Sequence, residues 1–157
     1  MKYAIDAFKI NEILSIYKPE HIYLKSAEVE DKRITGIFRK SIYPYTKEDL
    51  FQYITGATAV LYLAQLSYVF SAVLIEHRVF EATKDISYED FLALRDKART
   101  YFTMLNSVFK KPVANSDNTN VVMEVTGVKN IGKAIIADMD FNLQNCIVGH
   151  LQLAMVL

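Results

Sequence analysis

The chain has 157 residues, 52% of them hydrophobic, and its 18 basic residues are balanced by 18 acidic ones. That is the length of one ordinary domain, 1–157, with apolar material enough for a sizeable core. The charge balance excludes a basic field for nucleic acid and leaves no basic run for an anionic membrane. Cys146 is the one cysteine, so an internal disulfide is excluded, which fits a reducing, cytoplasmic setting.

Residues 4–16 place Ile5, Phe8, Ile10, Ile13, Leu14 and Tyr17 at roughly helical spacing, which predicts a short amphipathic helix ended before Pro19. Asp6 and Glu12 interrupt its apolar pattern, so it is not the apolar core of a signal peptide. Ile22, Leu24, Ala27 and Val29 then mark a strand, Glu30-Asp31-Lys32 a polar turn, and Ile34, Gly36 and Phe38 a returning strand. So short a turn predicts an antiparallel hairpin. Tyr43-Pro44-Tyr45 breaks it.

The stretch Thr46–His77 dominates the middle of the chain. Thr46 stands as an N-cap, with Glu48 and Asp49 in the first turn, where negative charge suits the helix dipole. From Leu50 to Ile75 there is no charge and no proline. A helix of about thirty residues, roughly 45 Å long, follows from this. It is apolar nearly all round and is expected to be buried nearly all round. A membrane span is the rival reading; Thr55, Thr58, Tyr62, Gln65 and Ser67, and the strand-rich remainder, count against it. Thr55, Thr58, Tyr62 and Gln65 recur on one face. Such a polar stripe either bonds neighbouring main chain or lines a ligand cleft; the need for partners alone does not separate the two.

Residues 78–85 read as irregular. Ser87 to Arg99 reads as a second helix, with Ser87 and Asp90 forming a capping box and the helix acting as a cover. Three strands follow, over residues 101–113, 119–128 and 133–143, with a last one over 146–157, separated by turn clusters at 114–118, 129–132 and 144–145. Short connections predict an antiparallel meander. A hairpin, a long buried helix, a cover helix and more strands make an α+β layout, with one antiparallel sheet curled around the helix.

That order is similar to the hotdog fold, and the resemblance covers most of the chain. Ile10 to Leu14, Ile22 to Leu24 and the hairpin from Val29 to Ile37 look like the opening of the hydroxyacyl-carrier-protein dehydratase branch, and Leu63-Ala64-Gln65 resembles that branch's alanine-glutamine pair. Asn106-Ser107-Val108-Phe109-Lys110-Lys111-Pro112-Val113 with the turn Asn115-Ser116-Asp117 resembles the strand that lines the acyl channel. Within the superfamily the nearest resemblance is to the FcoT-like acyl-thioester group, through the cover segment Ser87 to Phe91, that same strand and the tyrosine-rich helix around Tyr62.

The resemblance implies binding, and hydrolysis, of a fatty acyl thioester on coenzyme A or an acyl carrier protein, with no cofactor; a homodimer, or an oligomer of dimers, is expected because one curled sheet leaves an edge and a half-covered helix that a second copy would protect. The departures are specific. The loop Ser41 to Thr46 has no histidine, position 61 is leucine, and no acidic residue lies between Leu50 and Ile75. Where the FcoT-like group has asparagines, this chain has Thr55, Gly56 and Ala57. The usual general base is absent, which keeps open a non-catalytic acyl-binding or assembly protein and disfavours a dehydratase-like enzyme.

Gly56, Tyr62 and Gln65 are the candidate catalytic residues: Gly56 for a backbone N–H close to the thioester carbonyl, the other two to orient water. Close helix–strand packing is the alternative for Gly56, and a core or rim role for the tyrosines. Tyr43, Tyr45, Thr55, Thr58 and Phe109 are the candidate substrate contacts. Lys110, Lys111, Lys129 and Lys133 could meet phosphates. His21, His77 and His150 show no metal spacing and Cys146 no partner cysteine, so no metal is expected. Asp138 and Asp140 share a strand face that is expected to look outward.

Overall fold

The computed structural model describes residues 2–42 and 52–157. The elements are β1 (Lys2–Ile5), α1 (Ala7–Ile13), β2 (Leu24–Glu30), β3 (Arg33–Phe38), α2 (Gly56–Glu76), α3 (Tyr88–Asp96), β4 (Thr100–Phe109), β5 (Thr119–Ile131), β6 (Ala134–Leu143) and β7 (Ile147–Val156). The strands form one seven-stranded sheet in the order β1-β2-β3-β5-β6-β7-β4, antiparallel throughout. Strand alternation sets its two faces. Val29, Ile34, Phe38, Val121, Met123, Met139, Leu143 and Leu151 are buried on the inner side. The outer side carries cross-strand ion pairs such as Lys2–Glu28 and Arg33–Glu124.

α2 lies on the inner face and is buried from Leu66 to Ile75, apart from Tyr68. By length and composition it is apolar enough to cross a membrane, but 78% of its most apolar window is buried inside the protein. The sheet packs tightly on α2 at Gly36, where an added Cβ would lie 2.6 Å from Leu66 Cδ1 and 2.9 Å from Leu24 Cδ1. α3 packs against α2 with Phe91 fully buried, and its predicted capping box is formed between Ser87 and Asp90. Arg95, buried on the same helix, donates to the main-chain carbonyls of Glu12 and Ile13 and so closes the end of α1.

Three sequence expectations change. The central helix is 21 residues long and its N-cap is Thr55, not Thr46; residues 46–51 lie outside the described residues. Just before it, residues 52–54 run alongside 113–115: the Ile54 N–H donates to Val113 O, the Asn115 N–H donates to Gln52 O, and Tyr53 bridges Ala114. A main chain committed to a strand pairing cannot also be helical. At the N-terminus, Lys2–Ile5 is an edge strand and the helix begins only after Asp6, whose carboxylate accepts from the Lys9 N–H. Finally, β5, β6 and β7 form the predicted meander, but β4 pairs with β7 at the far edge. Alternation tells which face of a strand is buried, not which strand lies beside it.

Candidate functional site

The candidate site is the first turn of α2. The Thr55 hydroxyl accepts from the Thr58 N–H at 3.2 Å and lies 3.2 Å from the Thr58 hydroxyl. A helix start leaves N–H groups without intrahelical partners and carries the positive end of the dipole. The first turn of α2 holds no acidic side chain to offset that charge. Gly56 is its first residue, and among the described residues an added Cβ there would meet Phe109 Cζ, at 3.8 Å. Phe109, half exposed, ends the edge strand β4. Four of the predicted site residues, Thr55, Gly56, Thr58 and Phe109, thus meet at one place. Chemically, this is the electropositive start of a helix beside a half-exposed aromatic ring. It is suited to a carbonyl oxygen attached to an apolar group.

Tyr62 and Gln65 lie one and two turns deeper and are fully buried. The Tyr62 hydroxyl donates to Arg39 O at 2.9 Å, and its ring stacks on Phe38 with centroids 4.3 Å apart. The Gln65 amide donates to His21 O at 2.7 Å and accepts from the N–H groups of Tyr23 and Leu24 at 2.9 and 3.2 Å. Of the two readings left open for the polar stripe, main-chain bonding describes this pair: both fasten α2 to the approach and exit of the β2–β3 hairpin. Close helix–sheet packing is found at Gly36, while at Gly56 the described residues bring Phe109 to ordinary contact distance. Tyr43 and Tyr45 lie outside the described residues.

No family model and no curated protein matches the sequence, whereas solved structures do match. The dehydratase domain of RzxB from Pseudomonas fluorescens is 10% identical, with a TM-score of 0.59 over 98% of this chain and 50% of that one. The chain has the hotdog fold. A second hotdog likeness, the dehydratase heterocomplex ApeI:P from Xenorhabdus doucetiae, is 13% identical with a TM-score of 0.56, over 93% of this chain and 90% of that one. Cj0977, a sigma28-regulated virulence protein from Campylobacter jejuni, is 8% identical with a TM-score of 0.54, over 97% and 93%. Identities this low establish the hotdog fold alone, and the chain spans half the length of the RzxB domain it matches.

The remaining candidates sit elsewhere on the hotdog framework. His150 lies on the outer face, its Nδ1 2.8 Å from Asp140 and its Nε2 3.5 Å from Asp138. Asp138 is held below the usual carboxylate range, first by the hydrogen bond from Gln152 and then by the charge of Lys129. His77 caps the far end of α2, with its ring 4.9 Å from that of Tyr3. His21 lies 3.2 Å from the Tyr23 hydroxyl. Sequence reasoning passed over Ser41 and Asn115, both buried polar residues. Asn115 stood in a turn cluster, and polar turn residues are ordinarily solvated; burial is a property of the fold that their type does not announce.

Proposed function

We propose that this hotdog domain binds a fatty acyl thioester, carried on coenzyme A or an acyl carrier protein, at the first turn of α2 and hydrolyses it slowly. Gly56 carries the reading. Glycine costs up to about 1 kcal/mol relative to alanine in a helix, and no neighbour in the described chain crowds the place its Cβ would occupy. Close approach by a group from outside the chain explains it. A thioester carbonyl placed there would accept from first-turn N–H groups, which stabilise the charge that develops on its oxygen. The leaving thiolate, with an ordinary pKa of about 8.5, departs without a proton. Phe109 would border the acyl group. Tyr43 and Tyr45 are retained as substrate contacts on the sequence reading alone.

From Gly56 to Ile75 there is no carboxylate, histidine or lysine. Water attack then depends on solvent hydroxide, and turnover is expected to rise about tenfold per pH unit with no bell-shaped optimum. The same absence favours a second reading, a non-catalytic acyl-binding or assembly protein. Incubation with acyl-coenzyme A esters of graded chain length, following free thiol across pH beside calorimetric binding, separates these. Turnover climbing with pH supports hydrolysis, and binding without turnover selects the second reading. Neither binding nor turnover removes both.

The reading includes a homodimer in the cytoplasm. β4 is ten residues long and, among the described residues, is the edge strand, paired with β7, with Tyr101, Met104, Val108 and Phe109 exposed. A long apolar edge of this kind is normally covered, and a second copy would cover it. Light scattering at micromolar concentration is expected to give twice the chain mass; a clean monomer would remove the dimer.

A further inference from the structure

The residues on either side of 43–51 converge on one buried residue, Asn115. The Asn115 carboxamide treats Ser41 as a neighbouring strand would. Its Oδ1 accepts from the Ser41 N–H at 3.0 Å and from the Ser41 hydroxyl at 3.1 Å, and its Nδ2 donates to Ser41 O at 3.1 Å. Its own main-chain N–H donates to Gln52 O at 2.8 Å. Asn115 therefore joins the exit of β3 through its side chain and the approach to α2 through its main chain. Neighbouring bonds work the same way: Ile54 N–H to Val113 O at 2.8 Å, and Lys40 N–H to the Asp117 carboxylate at 3.0 Å. Ile54 directly precedes the N-cap Thr55, so whatever fixes residues 52–54 also fixes the direction of the first-turn N–H groups.

We propose that Asn115 is a positioning residue for the first turn of α2: through its double attachment to Ser41 and Gln52 it sets where the Gly56 main chain points and so tunes ligand capture there. The ligand part rests on the acyl-thioester reading above. The side-chain chemistry is specific. Only an amide both accepts from the Ser41 N–H and donates to its carbonyl at this length; aspartate loses the donor, and alanine loses both.

Amide hydrogen exchange by NMR on the full chain tests the inference, with palmitoyl-coenzyme A binding measured on the same samples. Asn115→Ala is expected to speed exchange at Ile54 and Thr58 about tenfold while Met139 and Leu151 in the sheet keep their rates. Asn115→Asp is expected to give a smaller change at the same amides and serves if the alanine variant does not fold. Ser41→Ala, which keeps both main-chain bonds, is expected to leave these rates unchanged. Binding is expected to weaken about tenfold in Asn115→Ala, in step with the local exchange. Uniform acceleration across the sheet, or none at Ile54 and Thr58, would overturn the proposal by making Asn115 a general stabiliser or a bystander. So would local acceleration with unchanged binding. If the unsubstituted protein binds no acyl-coenzyme A of any length, the functional reading fails, and the exchange rates still decide whether Asn115 positions this turn.

Discussion

Gly36 and Gly56 lack the same side chain in opposite surroundings. At Gly36 an added Cβ would fall within 3 Å of both Leu66 and Leu24, so Gly36→Ala must push α2 off the sheet or force those leucines from their rotamers. A loss of about 1–3 kcal/mol is expected from urea unfolding. At Gly56 the nearest atom among the described residues is at ordinary contact distance. There, Gly56→Ala is expected to leave stability unchanged or raise it by up to about 1 kcal/mol. If a ligand carbonyl sits against that main chain, the same variant loses acyl-coenzyme A binding. A more stable Gly56→Ala protein that binds as well as before would return the residue to a purely local role. The two glycines look alike in sequence; only the distance to their neighbours separates them.

Gln65 shows how one helix fastens an element far away in sequence. Its amide holds three main-chain groups, two N–H and one carbonyl, where the chain enters β2. Gln65→Ala would leave them buried without partners. A cost of about 2–5 kcal/mol is expected, visible as a lower urea midpoint at an unchanged slope. A cost below about 0.5 kcal/mol would mean that water replaces the amide. Helical spacing had already placed Gln65 on one face with Thr58 and Tyr62. Whether that face met main chain or ligand was not legible, because a side chain's need for partners says nothing about which partners the fold supplies. The helix start shows the same limit: Thr46 and Thr55 are both sound N-caps by type, and the pairing of residues 52–54 with 113–115 decides in favour of the second.

Across the described residues, four tyrosines are shifted the same way. Burial pushes Tyr3 and Tyr17 up to about 12, helped by Glu76 and by Tyr68 respectively. Burial also raises Tyr68, and raises Tyr88 together with the hydrogen bond to Glu12. In the unfolded chain these hydroxyls ionise near about 10. Above that pH the unfolded state gives up protons that the folded state still holds, so stability is expected to fall as pH climbs from about 10 towards 12. Urea midpoints across that range check this, and Tyr17→Phe is expected to flatten the decline; a flat profile in the unsubstituted protein would show that these hydroxyls are solvated.

By itself the sequence determined the strand segments other than Lys2–Ile5, which helix had to be buried, where the β2–β3 hairpin turned and how α3 was capped. Each of these follows from residue type and spacing over a few neighbours. Tertiary structure alone decided where α2 begins, that β4 lies beside β7, and that Asn115 ties together residues on both sides of 43–51. Those outcomes depend on pairings between residues distant along the chain, and alternation or capping chemistry constrains a strand's faces and a helix's ends without naming what will sit against them.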